Sequence, residues 1–233
     1  MLVWLASFPR SGNTFLRMAI HWNTAERPYT YSITKDLLFS RAGIVEGVGH
    51  RPMPKMSLKK MAESEELYMV KCHAGVTDLK YKAPSVFIVR DPRDVMVSLS
   101  HWQVCQLGGN KRSKKGSKDW REYFNDFYNT GHWHTYCEKS LDYADVVVKY
   151  EELIEDSYAV VKRVVGMLNL PLTMLRQDMP TFEEMHEKLP CFFRQGMVGS
   201  GRDVFTPKQE AAFYAEAGHM MARLGYERYT EAK

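Results

Sequence analysis

The chain lacks several things that would assign it quickly. No apolar run approaches the ~20 residues that a bilayer crossing takes, so no membrane span is expected. The first ten residues, "MLVWLASFPR", have no basic leader and run straight into a loop, so no secretory signal is expected. There is no C-x-x-C pair. The four cysteines Cys72, Cys105, Cys137 and Cys191 stand far apart, and the expectation is reduced thiols in a cytoplasmic protein. Charge of one sign is scarce too: the formal excess is only +4 over 233 residues. That suits an anionic ligand and is too small to argue for nucleic acid. Internal repeats and a linker-like composition shift are both missing, so residues 1–233 are read as one domain. Also missing is G-x-x-x-x-G-K-[ST], the loop that holds nucleotide phosphates with Mg²⁺.

What is present is ordinary globular material, 45% hydrophobic and 26% charged, enough for a real core. "LVWLAS" (2–7) reads as a buried strand and Asn13 to about Trp22 as a helix with Phe15, Leu16, Ala19 and Ile20 on one face. Residues 23–55 carry Pro28, Pro52, Pro54 and several glycines and read as irregular, with a short helix near 34–41. Helix near 57–65, strand "LYMVKC", strand "SVFIVR" (85–90) and helix from about Arg93 to Trp102 follow. "QLGGNKRSKKGSKDW" reads as a mobile surface loop at about 104–118. Two amphipathic helices follow, to about residue 140, with Trp120, Tyr123, Phe124 and Phe127 as core positions. "ADVVVKYEEL" gives a strand, 151–169 a helix, 181–188 another, and a last helix starts near Thr206. This alternation predicts an α/β fold: a central, mostly parallel sheet flanked by helices.

Two strand-to-helix turns carry the candidate chemistry. A parallel sheet receives its ligand at the carboxyl ends of its strands, where free N–H groups of a helix start attract an oxyanion. In "SFPRSGNT" Gly12 permits close backbone approach, Asn13 and Thr14 offer polar contacts, and Arg10 offers a cation. An ordinary βα turn with a stray arginine remains the alternative on this stretch alone. In "VFIVRDPRDVMVSLSHW" Arg90 closes the strand and Ser98 follows about two turns into the helix, an arrangement suited to a second phosphate. Its alternative is that Arg90–Asp91 and Arg93–Asp94 are surface pairs of little consequence.

Taken in order, these stretches resemble the cytosolic type of 3′-phosphoadenosine-5′-phosphosulfate (PAPS)-dependent sulfotransferase. "SFPRSGNTF" is similar to that family's 5′-phosphosulfate loop, Tyr-Pro-Lys-Ser-Gly-Thr-Thr-Trp, and "VFIVRDPRDVMVSLSHW" to its 3′-phosphate motif. "VKCHAG" (70–75) resembles the Lys-x-His that carries the base. "VVVKYEEL" (146–153), "PTFEEMHEK" (180–188) and "FRQGMVGSGRDVFT" (193–206) resemble the remaining elements. The matches span most of the chain, which is shorter than typical animal relatives and nearer to small bacterial tailoring enzymes.

The resemblance implies a P-loop-like fold and a division of labour. Arg10, Ser11, Gly12, Asn13 and Thr14 would hold the 5′-phosphosulfate. Arg90, Ser98 and Arg194, with the backbone around Gln195 and Gly196, would hold the 3′-phosphate. Phe15 and Phe182 would face the adenine and Tyr150 the nucleoside. His73 would take the acceptor proton, since imidazole titrates near working pH, with Lys71, Arg10 and Ser98 beside the transferring group. PAPS would be the donor and 3′-phosphoadenosine-5′-phosphate (PAP) the product, with no metal. His132, His134 and Cys137 lack a fourth ligand at standard spacing. The departures are Arg10 and Gln195 for lysines, Ser200-Gly201 for Asp-Trp, which leaves that loop expected to be more mobile, and Pro180 for a small or hydroxyl residue. The implied acceptor is a small molecule, and an acidic one if Lys111, Arg112, Lys114, Lys115 and Lys118 gate it, the alternative being a solvated loop. No nucleic-acid partner is implied, and the chain would be a monomer or a homodimer. Two other readings stay open: a nucleotide-dependent phosphotransferase, and a non-catalytic nucleotide- or nucleic-acid-binding module.

Overall fold

β1 (Leu2–Ser7) is buried at every position, as a strand covered on both faces must be. Its side chains alternate. Val3 and Leu5 enter one apolar layer with Leu16, Ala19 and Ile20, while Leu2, Trp4 and Ala6 enter another with Met61 and Val70. The computed structural model describes residues 1–33, 39, 42–108 and 132–228. In chain order its elements are β1, α1 (Asn13–Trp22), β2 (Thr30–Ser32), α2 (Val45–Val48), β3 (His50–Pro52), α3 (Leu58–Glu63) and β4 (Tyr68–Cys72). Then come β5 (Ser85–Val89), α4 (Pro92–Gly108), α5 (His132–Glu138), β6 (Val146–Lys149), α6 (Tyr150–Glu155), α7 (Ser157–Met167), α8 (Phe182–Lys188) and α9 (Pro207–Arg223).

Six strands form one sheet in the order β3-β2-β4-β1-β5-β6, and every neighbouring pair is parallel. The α/β expectation holds. α1 and α7 cover one face through Leu16, Val160, Val161 and Val164. α5 and α9 cover the other with Trp133, Phe213 and Met221 against Phe87 and Val89. Each such side chain taken fully out of water contributes about 1.5–3 kcal/mol.

The topology decides where a ligand goes. From β1 the chain leaves toward β2 on one side, whereas from β5 it leaves toward β6 on the other. β1 and β5 are neighbours, so their carboxyl ends flank a crevice where the connections diverge, the usual ligand position of an open parallel sheet. Register brings Lys71 in as well, since Leu5 of β1 pairs with Lys71 of β4 and with Val86 of β5.

Several local expectations need correction. Residues 23–55 contain two short strands, β2 and β3, too brief to show a period. The strand read through "ADVVVKYEEL" stops at Lys149, where the β-branched valines end and the helix formers Glu151, Glu152 and Leu153 begin α6. The helix expected over 151–169 is two helices, α6 and α7. Asp156 separates them and caps the second by accepting from the Ala159 N–H at 3.0 Å. α4 continues to Gly108, so residues 104–108 are helical. The rest of the expected loop, with its lysines and Arg112, lies outside the described residues. So do the aromatics Trp120, Tyr123, Phe124 and Phe127, and all of the 34–41 helix except Phe39.

The cysteine expectation also fails in part. Cys105 and Cys191 form a disulfide with 5.9 Å between Cα atoms, an ordinary spacing for the bond. Their separation of 86 residues left no spacing signal in the sequence. Cys72 and Cys137 are free thiols, both buried.

Candidate active site

At the end of β1 the chain turns through Arg10 and Gly12, both in the left-handed region at φ 68° and 97°. Gly12 opens α1 and no side chain caps it, which leaves the first-turn N–H groups for a ligand. A Cβ on Gly12 would lie 2.4 Å from Tyr150 Cδ2, so glycine here is a packing requirement as well as a conformational one. The Asn13 amide nitrogen turns back toward β1. It donates to the Leu5 carbonyl at 2.8 Å and to Ser7 Oγ at 3.1 Å, pinning the loop to the strand it left.

Arg10 is the loop's cation and it is tightly held. Its Nε donates to Ser98 Oγ at 3.0 Å and its Nη2 to the Phe192 carbonyl at 2.8 Å. Its guanidinium lies 4.6 Å from the Phe192 ring centroid and 5.3 Å from that of Trp102, a favourable place for a cation. Burial, then the neighbouring Arg90 and Arg194, pull its pKa down to about 10, so it keeps its charge near neutral pH. The Cys105–Cys191 bond fastens the same two walls, since Cys105 follows Trp102 on α4 and Cys191 precedes Phe192.

Arg90, at the end of β5, lies 4.2 Å from the Tyr150 ring centroid. Its Nη2 donates to the Met197 carbonyl at 2.7 Å and approaches Asp94 Oδ2 at 3.5 Å. Its Nε is buried with no hydrogen-bond partner. An unpaired buried guanidinium nitrogen costs free energy unless an acceptor comes to it. Surface pairs are excluded in this segment: Arg90, Asp91, Arg93 and Asp94 are at most 8% exposed. Arg93 is instead an internal brace, with Nη2 2.7 Å from Asp91 Oδ2 and Nη1 3.0 Å from Glu210 of α9. Arg194 completes a trio of guanidiniums, its pKa lowered by burial and then by Arg90. Gly196, at φ 61°, lets its backbone lie against Phe182, whose Cδ2 would be 2.6 Å from a Cβ there.

His73 sits one residue beyond β4, exposed at the sheet's carboxyl edge. Its Nδ1–H donates to the Ser7 carbonyl at 2.8 Å, which places the lone pair of the neutral ring on Nε2. A single cavity of about 1060 Å³ gathers these parts. Of the site residues expected from sequence, Arg10, Gly12, Asn13, Thr14, Phe15, Lys71, His73, Arg90, Ser98, Tyr150, Phe182, Arg194, Gln195 and Gly196 line it, and Ser11 does not. Ser11 is buried behind the loop with Oγ unpaired. Trp102 and Phe192 were not singled out in the sequence. Trp102 ends the quoted motif, so a place near the site was readable there, but its stacking on a loop 92 positions away was not.

Residues 2–225 match the family described as "Sulfotransferase domain". The chain belongs to the sulfotransferase family. A mouse sulfotransferase complexed with PAP is similar at 19% identity over 94% of this chain and 83% of its own, with a TM-score of 0.61. A retinol dehydratase in complex with androsterone and inactive cofactor PAP is similar at 16% identity, covering 100% of this chain and 82% of its own, with a TM-score of 0.60. At these identities the likeness is one of fold. The chain matches no curated protein sequence. Among the described residues of this sulfotransferase-family protein, no helix is long and apolar enough to cross a membrane. No cluster of His, Cys, Asp and Glu among them has the form of a metal site.

Proposed function

We propose that this protein transfers the sulfuryl group of PAPS to a hydroxyl, or an amine, of a small-molecule acceptor, with His73 as general base. The observation that carries this is the polarity of one cavity. Three guanidiniums, Arg10, Arg90 and Arg194, converge on it together with the imidazole of His73 and the ammonium of Lys71. The donor set fits a bisphosphorylated nucleotide: an uncapped helix start, a cation on each flanking strand end, and a buried Arg90 Nε lacking an acceptor. Arg90, Ser98 and Arg194 would hold the 3′-phosphate, the Arg10–Thr14 loop the 5′ end, and Phe15 and Phe182 the base.

PAPS supplies an activated sulfuryl group that needs no metal-held nucleophile. The chain's own task is positioning and charge stabilisation, which dominate in loose in-line transfers. His73 Nε2 takes the acceptor proton, because the Ser7 carbonyl holds the other ring proton. Lys71, 7% exposed at the end of β4, faces the same space and offsets negative charge building on the transferred group. Arg10 stays protonated and stabilises the leaving phosphate electrostatically. Beside it Leu99, Trp102, Phe192 and Phe39 give the cavity an apolar wall, suited to the body of a hydroxylated small molecule. A Mg²⁺-dependent phosphotransferase would want carboxylates here, and none stands among the described lining residues.

Calorimetry tests the reading directly. PAP should bind more tightly than AMP, which lacks the 3′-phosphate, and equal affinities would refute it. His73→Ala should retain PAP binding while transfer falls by about 10²-fold or more. Unchanged turnover in that variant removes His73 from the mechanism.

A further inference from the structure

Asp94 is not among the residues that line the cavity, and the preceding section gives it no role. It is fully buried in the first turn of α4, and four donors converge on its two oxygens. The N–H of Gly199 reaches Oδ2 at 2.8 Å and the N–H of Gly201 reaches Oδ1 at 2.7 Å. The Ser200 hydroxyl reaches Oδ1 at 3.1 Å, and Arg90 Nη2 lies 3.5 Å from Oδ2. Arg90 in turn donates to the Met197 carbonyl of the same glycine-rich loop. A carboxylate buried at this depth is retained only with such compensation.

We propose that Asp94 is the positioning residue for 3′-phosphate recognition: it clamps the 196–201 loop to α4 and so sets Arg90 and the Arg194–Gly196 backbone at one spacing. This rests on the PAPS reading and extends it. The loop that departs from the family pattern at Ser200-Gly201 is thereby anchored rather than mobile, since both departing residues are donors to Asp94. The two ways in which Asp94 can act have opposite signs. As a mere nearby charge it repels a phosphate, and neutralising it would tighten binding. As a clamp it preorganises the donors, and neutralising it loosens them.

The test is calorimetry of PAP and AMP on wild type, Asp94→Asn and Ser200→Ala, with thermal unfolding alongside. Asp94→Asn should weaken PAP by roughly tenfold or more, the usual scale for charge-assisted hydrogen bonds, and AMP by less than about threefold. Ser200→Ala removes one donor from a partly buried hydroxyl and leaves the backbone clamp, so it serves if Asp94→Asn does not fold. It should weaken PAP about two- to fivefold with AMP unchanged. PAP binding that is unchanged or tighter in the folded variants overturns the inference, as does an equal loss for both nucleotides. Wild-type protein that binds PAP no better than AMP would instead sink the PAPS reading and the inference with it.

Discussion

Gly12→Ala perturbs the loop at its tightest point, and the structure sets the size of the effect. Gly12 holds φ 97°, a conformation that costs an L-residue roughly 1–2 kcal/mol. The new methyl would also stand 2.4 Å from Tyr150 Cδ2, more than about 1 Å inside the normal carbon contact distance. Tyr150 has little room to yield, being 6% exposed with Arg90 lying 4.2 Å from its ring centroid. Overpacking of this kind costs about 1–3 kcal/mol, so the whole effect is about 2–5 kcal/mol. For a chain of this size that corresponds to a fall in Tm of about 4–20 °C. Gly43→Ala is the control. Its φ is 66° and nothing lies within 4 Å of its Cβ position, so it bears the conformational cost alone. Because Tyr150 supports Arg90, the displaced ring should also weaken PAP. Thermal unfolding and calorimetry on Gly12→Ala, Tyr150→Ala and the double variant would check this. The double variant should lose less than the sum of the singles, since removing the ring removes the clash. Strict additivity, or a Gly12→Ala protein as stable as Gly43→Ala with wild-type PAP affinity, refutes the reasoning.

Other expectations follow from the same geometry. Arg10→Lys should stay active, because the charge remains. A single ammonium replaces a planar fork that bridges Ser98 and the Phe192 carbonyl at 3.0 and 2.8 Å, so PAP affinity should fall about three- to tenfold; an inactive Arg10→Lys enzyme would show that the guanidinium itself is required. Thiol titration of protein unfolded without reductant should count two reactive cysteines, Cys72 and Cys137, and four after reduction; four without reductant would disprove the Cys105–Cys191 bond. In the native state Cys72 should react slowly at mildly alkaline pH. Burial pushes its pKa to about 11, so little thiolate is present, and fast labelling there would show the site to be open.

How much of this the sequence disclosed depends on the range of the interaction concerned. Elements with a strong period or a run of β-branched residues, such as β1, α1 and β5, were readable because each one's burial is dictated by its own side chains. β2 and β3 were not, being short strands whose only reason to be extended is pairing with β4 and with each other. The site divides in the same way. Arg10, Lys71, His73 and Arg90 sit at strand ends or in the following turns, and the α/β pattern alone brings strand ends together, with Ser98 following Arg90 on α4. The Arg10 cage depends on a backbone carbonyl 182 positions away, and the disulfide on an 86-residue separation. Neither leaves a local trace.

Asp94 is the instructive case, since it stood inside a quoted motif and was weighed only as half of a surface pair with Arg93. That alternative assumed exposure, and exposure is what the neighbouring sequence cannot report. Once buried, Arg93 turns to Asp91 and Glu210, and Asp94 is released to the 199–201 loop. The exchange of partners matters for charge. Arg10 is drawn down in pKa by both Arg90 and Arg194, so the guanidiniums repel one another, while Asp94 counters this at Arg194. A cationic cluster of this kind is costly to hold together and binds a polyanion strongly because the anion relieves that cost. Gln195 in place of a lysine then has a physical reading: it leaves out a further cation where three guanidiniums and one carboxylate already set the balance.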